Sequence, residues 1–134
     1  MPWRSSPSRC IALAALCVLL LSLAGCGGGP RLVKVSGTVT RAGNPLPGVE
    51  IFFEPDEGRQ SRAMTDEQGR FTLRYDKDQE GVVAGHHKAY VRPVRAPLTS
   101  EDRQAVRQKY GDREHAQLEY TLDKDTPDLE VKLD

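Results

Sequence analysis

From Val33 onward the apolar residues recur at every second position, a period that specifies half-buried strands and rules out helix over most of the chain. Val33, Val35, Gly37 and Val39 alternate with Lys34, Ser36, Thr38 and Thr40. After the turn-forming run Gly43-Asn44-Pro45-Leu46-Pro47-Gly48, Val49, Ile51 and Phe53 alternate with Glu50, Phe52 and Glu54, and Pro55 closes the stretch. Residues 62–65 suit a short strand leading into Asp66-Glu67-Gln68-Gly69, where glycine supplies a positive φ at little cost. Phe71, Leu73 and Tyr75 then line one face, with Arg70, Thr72 and Arg74 opposite. Residues 82–94 are rich in β-branched and aromatic side chains around Gly85, which predicts a strand pair or a bulged strand. Two last alternations, Leu118, Tyr120, Leu122 and Leu129, Val131, Leu133, flank a turn expected at residues 125–128.

One stretch breaks the period. Across residues 97–110, Thr99 followed by Asp102 resembles a capping box, Leu98, Ala105, Val106 and Tyr110 can share a helical face, and Gly111 is a stop. About seven strands at short spacing with one short surface helix predict an all-β, antiparallel sandwich over residues 32–134.

The first 25 residues read as a processing signal. Arg4 and Arg9 precede an apolar run, Ile11 to Leu23, of about 13 residues, short of the roughly 20 needed to span a bilayer. Cys10 and Cys17 lie inside this leader and Cys26 just after it, so residues 27–134 contain no thiol and no disulfide. A small exported domain without bridges must be stabilised by its apolar core. Gly27-Gly28-Gly29-Pro30 forms, with Cys26 and Arg31, a linker over residues 26–31. At about 3.5 Å per residue those four residues reach only about 15 Å. The chain carries 19 basic and 19 acidic residues, and loss of Arg4 and Arg9 with the leader leaves a net charge near −2. Nucleic acid is therefore not an expected partner.

Leu23-Ala24-Gly25-Cys26 closely resembles the bacterial lipobox, in which the cysteine sulfur receives diacylglycerol and becomes the first mature residue. That resemblance implies lipidation of Cys26 by acyl chains such as palmitate. Gly27, where an aspartate would signal retention, resembles outer-membrane sorting. The resemblance thus implies an envelope location facing the periplasm or the cell surface. Further on, Val35-Ser36-Gly37-Thr38-Val39, the segment from Gly43 to Gly48 and Thr65-Asp66-Glu67-Gln68-Gly69-Arg70-Phe71 resemble the carboxypeptidase regulatory-like, or transthyretin-like, β-sandwich domain. Gly85-His86-His87-Lys88 looks like a later element of the same module. Lys109-Tyr110 and the closing strands are similar to small lipoproteins of planctomycete type. Members of this family serve mostly as accessory, adhesive or folding modules, so the resemblance implies a noncatalytic role. The fold also includes a purine-pathway hydrolase, but its C-terminal Tyr-Arg-Gly-Ser motif is not matched by Val131-Lys132-Leu133-Asp134.

Few residue sets suggest chemistry. Ser36, Ser61 and Ser100 sit in no G-x-S-x-G elbow, and no phosphate-cradling glycine loop occurs. His86 and His87 are neighbours on a strand, so their rings point to opposite faces and do not share an ion; His115 would need a distant contact to join either. Asp76, Asp78 and Glu80 with Gly81 look like the first half of a calcium loop, yet position twelve is His87 instead of a bidentate glutamate. Lys88, Tyr90, Arg92 and Arg95 suggest a basic aromatic strip for anionic glycans or headgroups, against the plainer alternative of a solvated strand face. The expectation is a membrane-anchored envelope lipoprotein whose noncatalytic domain binds or scaffolds a protein or glycan partner, without a cofactor. A carbohydrate- or calcium-binding module is the alternative, and a small hydrolase a more distant one.

Overall fold

The computed structural model of the chain describes residues 27–134. The leader and Cys26 lie outside the described residues. After the extended spacer come β1 (Leu32–Val33), β2 (Val35–Arg41), β3 (Asn44–Pro45), β4 (Val49–Pro55), β5 (Ser61–Met64), β6 (Arg70–Thr72), β7 (Val82–Val83) and β8 (Gly85–Pro93). The helix α1 (Ser100–Tyr110) and the strands β9 (Leu118–Leu122) and β10 (Thr126–Leu133) complete the domain. The architecture is all-β with one short helix.

Two four-stranded sheets carry the fold. In one, β5, β4, β8 and β9 lie side by side, all antiparallel. In the other, β2 pairs with β10 along one edge and with β3 and β6 along the other. A third, two-stranded pairing joins β1 to β7. The inward residues predicted from the period-two pattern meet in one core. Val35, Val39 and Phe71 from the β2 sheet are buried with Ile51, Phe53 and Val91 from the β4 sheet, and the Phe53 and Phe71 rings lie 6.5 Å apart. The helix joins this core. Thr99 caps it by accepting from the Asp102 amide, Gly111 ends it, and Val106 and Tyr110 are buried.

Several sequence expectations are corrected. The final strand β10 runs parallel to β2, so the sheets are not wholly antiparallel. After β9, at the edge of one sheet, residues 123–125 carry the chain to the other sheet, where it starts at the same end as β2. The turn accordingly lies earlier than residues 125–128, because Thr126 already pairs with Val35. In α1, Ala105 is exposed and Arg103 takes the inward position, since residues 103, 106 and 110 fall on one face of a 3.6-residue helix. The Arg103 guanidinium donates to the carbonyls of Pro93 and Ala96. Pro55 ends β4 from within, paired with His87. The Phe71-Leu73-Tyr75 alternation outlasts its ladder: β6 stops at Thr72, and the Leu73 amide donates to Val35.

The parallel pairing depends on a glycine. Pro127 has no N–H to give a ladder, and the register slips by one residue between Thr126 and Leu129. Beyond this bulge Leu129 stands against Gly37, and a Cβ on Gly37 would lie 1.9 Å from the Leu129 carbonyl oxygen. No side chain fits there without moving β10. Gly37→Ala is expected to cost at least about 3 kcal/mol, at the upper end for overpacking because the obstacle is backbone. Gly29→Ala, in open space, should be neutral. Denaturant unfolding of the two variants checks this, and equal midpoints would contradict the close approach.

Candidate functional site

The suspected calcium ligands serve the turn that contains them. The Asp76 carboxylate accepts from the amides of Asp78 and Gln79 at 2.8 Å each, an Asx-type arrangement that closes a tight loop. Glu80 lies 3.6 Å from Arg74, and Asp78 lies 4.0 Å from Lys77. Among the described residues no three His, Cys, Asp or Glu side chains converge as a metal site.

The two adjacent histidines part as strand geometry requires. His86 points outward between two carboxylates, with Nδ1 3.1 Å from Asp56 and Nε2 3.6 Å from Glu119. His87 points inward, fully buried, with Nε2 2.6 Å from the Val83 carbonyl and its ring 6.0 Å from that of Phe53. Among the described residues its Nδ1 has no hydrogen-bond partner, nor has the buried Ser61 hydroxyl. The contact to a carbonyl makes Nε2 the protonated nitrogen of a neutral ring. His115 lies in the loop after α1 and pairs with Asp112 at 3.0 Å.

The basic strip is present in part and is balanced by charge. Lys88, Tyr90 and Arg92 share the outer face of β8, while Arg95 lies beyond the strand with its amide donating to Gly48. Across from Lys88 stand Glu54 and Glu119, and across from Arg92 stands Glu50. Tyr90 is itself covered. It stacks on Phe52 at 4.8 Å and 9°, its hydroxyl donates to Gln60 at 2.7 Å, and the Arg92 guanidinium sits 5.1 Å from the Phe52 ring. Phe52 and Tyr90 are only 4 % and 8 % exposed, so their faces are not free to stack on a sugar. These two aromatics at polar-face positions of their strands were the sequence signal for this outer cluster.

A feature hidden from the sequence is an open groove of about 910 Å³ between β5 and the loop after β6. It exists because Arg62 and Arg74 exchange backbone hydrogen bonds at 3.1 and 3.0 Å, joining segments twelve residues apart. Arg59, Arg62, Arg74 and Lys77 line it. Of the acidic residues there, Glu50 lies 3.7 Å from Arg62, and the others are Asp76 and Asp78. The Arg59 guanidinium rests 5.6 Å from the centre of the Tyr75 ring.

The motif glycines and polar residues have structural tasks. Gly48 has φ of 70° and sits where a Cβ would lie 2.5 Å from the Arg95 carbonyl carbon. The buried Thr65 hydroxyl donates to Leu46 and accepts from Val49, and the Asp66 carboxylate accepts from Gln68 and Arg70. Comparison with protein-family models, curated proteins and solved structures gave no match.

The histidines should titrate in opposite senses. The hydrogen bond to Asp56 raises the His86 pKa, and the bond to Asp112 raises that of His115; burial lowers that of His87. His86 and His115 therefore contribute stability below an unfolded pKa of about 6.5 and lose it as pH rises through their folded values. His87 contributes above about 6.5, and its contribution is lost as pH falls toward its lowered folded value. NMR titration should find His86 and His115 above the ordinary histidine value and His87 below it, with Glu119→Gln lowering His86 alone. A His87 signal titrating with the other two would contradict its burial.

Proposed function

We propose that the chain is a lipid-anchored envelope protein whose noncatalytic β-sandwich binds or scaffolds another envelope component. The observation that carries this reading is the Leu23-Ala24-Gly25-Cys26 quartet, placed after a short apolar run and immediately before a glycine spacer and the first strand. Lipid on Cys26 makes that arrangement intelligible: the sulfur takes the acyl chains, the spacer gives a short leash, and folding begins at Leu32. The diacylglycerol on one cysteine supplies the two acyl chains that stable anchoring requires.

The sandwich of carboxypeptidase regulatory-like type fits the two facing sheets and the work done by its motif residues. Gly37, Gly48, Thr65 and Asp66 are each engaged in backbone approach or turn closure. The noncatalytic reading draws support from the histidines, which are engaged with Asp56, the Val83 carbonyl and Asp112, while the Ser36 hydroxyl donates to Pro127. The outer membrane is the proposed location, on the strength of Gly27 after the cysteine.

Metabolic labelling with a radioactive fatty acid in the native cell should mark the protein, and Cys26→Ala should abolish the label and release the protein from the membrane fraction. Absence of label on the unaltered protein, or label that survives Cys26→Ala, would sink the reading.

A further inference from the structure

The groove beside β5 is flanked by two segments that reach the β1–β7 pair, where the spacer joins the fold. The loop after β6 runs through Glu80 into Gly81, whose amide donates to Leu73 and whose Cα faces Leu32 and Val33 so closely that a Cβ would lie 2.6 Å from the Val33 carbonyl oxygen. The opposite wall reaches back through Gly58, where a Cβ would be 3.6 Å from Val83. β1 begins one residue after the Gly27–Pro30 spacer. A chain held by Cys26 can therefore present this groove to the surface that holds it.

The groove's chemistry suits that neighbour. Arg59 is exposed and meets an aromatic ring, with no carboxylate paired to it among the described residues. Lys77 has 89 % of its side chain exposed at the tip of the turn. Arg74 braces the loop by donating to the Lys77 carbonyl at 2.6 Å, and Arg62 faces the other mouth. Of the acids present, Asp76 is engaged by two amides, Glu50 lies beside Arg62, Glu80 beside Arg74 and Asp78 beside Lys77 at the tip, which leaves Arg59 as the groove's base without a carboxylate among the described residues. Tyr75 offers an amphipathic ring of the kind that sits at headgroup level.

We infer that this groove receives anionic phospholipid headgroups, with Arg59 and Lys77 as the contacts, so that the anchored domain rests on the bilayer in one orientation. The inference depends on the lipid anchor at Cys26. Close to an anionic surface each basic side chain is worth about fivefold in partitioning, and the effect decays over a Debye length of about 8 Å at physiological salt. A tether of about 15 Å at full extension lets the groove settle within that range, and the headgroup contacts then hold it there.

The test uses the full-length protein, purified from membranes with its lipid and reconstituted in nanodiscs of phosphatidylcholine alone or phosphatidylcholine with phosphatidylglycerol. Backbone hydrogen exchange is read at residues 57–60 and 75–79. Exchange there should slow severalfold in the anionic discs, revert at high salt, and lose its dependence on phosphatidylglycerol in the Arg59→Gln/Lys77→Gln double variant. Both substitutions fall on exposed side chains, so folding is preserved and can be verified by unchanged exchange in β2 and β4. Equal exchange in the two kinds of disc, with the protein retained on both, overturns this inference and leaves the anchor standing. Release from both overturns the anchor and the inference with it. Slowing of the same residues by inorganic phosphate or a soluble anionic glycan, without any from phosphatidylglycerol, assigns the groove to a soluble ligand and overturns the membrane contact.

Discussion

β2 is the strand on which the domain depends, because its two edges bind three other strands and one of those pairings joins the start of the fold to its end. Along one edge it holds β3 and β6, which are close in sequence. Along the other it holds β10, from the last residues of the chain. That second pairing requires the Leu129 carbonyl to occupy the space a side chain would take at residue 37. With no disulfide within residues 27–134, closure of the chain on itself rests on this contact and on the apolar core behind it. Non-local pairing of this kind is slow to form, since the ends must meet before any contact is gained.

The opposite sheet shows how one face can be filled and the other balanced. Inside, Ile51, Phe53, Ala89 and Val91 meet the β2 sheet. Outside, acids on β4 stand across from bases on β8, and the Phe52–Tyr90 stack lies beneath an arginine. Cross-strand pairs like these fix register without producing a strongly charged surface. An exposed arginine without a carboxylate partner among the described residues, Arg59, lies elsewhere, in the groove beside β5.

How much was legible in the sequence follows from how local each feature is. The alternation at Val35–Val39, Val49–Phe53 and Leu129–Leu133 located strands because side-chain direction is a property of each strand alone. The opposite facing of His86 and His87 followed from the same rule, and the Thr99 cap from a spacing of three residues. The parallel course of β10 was not legible, because pairing direction depends on where a distant strand lies. Arg103 rather than Ala105 turned inward because its guanidinium reaches two carbonyls that no periodicity reveals. The groove depends on Arg62 meeting Arg74, a contact between two basic residues whose side chains give no reason to expect it; the backbone makes it. The acidic loop is ambiguous in sequence for a related reason, since alternate acids also suit a turn that uses its own carboxylate.

The proposed tether would join these features into one account of function. With the proposed lipid at Cys26, a core closed without cysteines and a groove holding Arg59 and Lys77 would form a membrane-proximal binding module. Lipid on Cys26 is the central claim, and the mass of the N-terminal proteolytic peptide of the protein extracted from native membranes tests it most directly. The account predicts an N-terminal peptide that begins at Cys26 and is heavier than its amino-acid sequence by a thioether-linked diacylglycerol and any further acyl group. A peptide that runs uncut from Leu23 through Cys26, or one that begins at Cys26 with a free thiol, would contradict it.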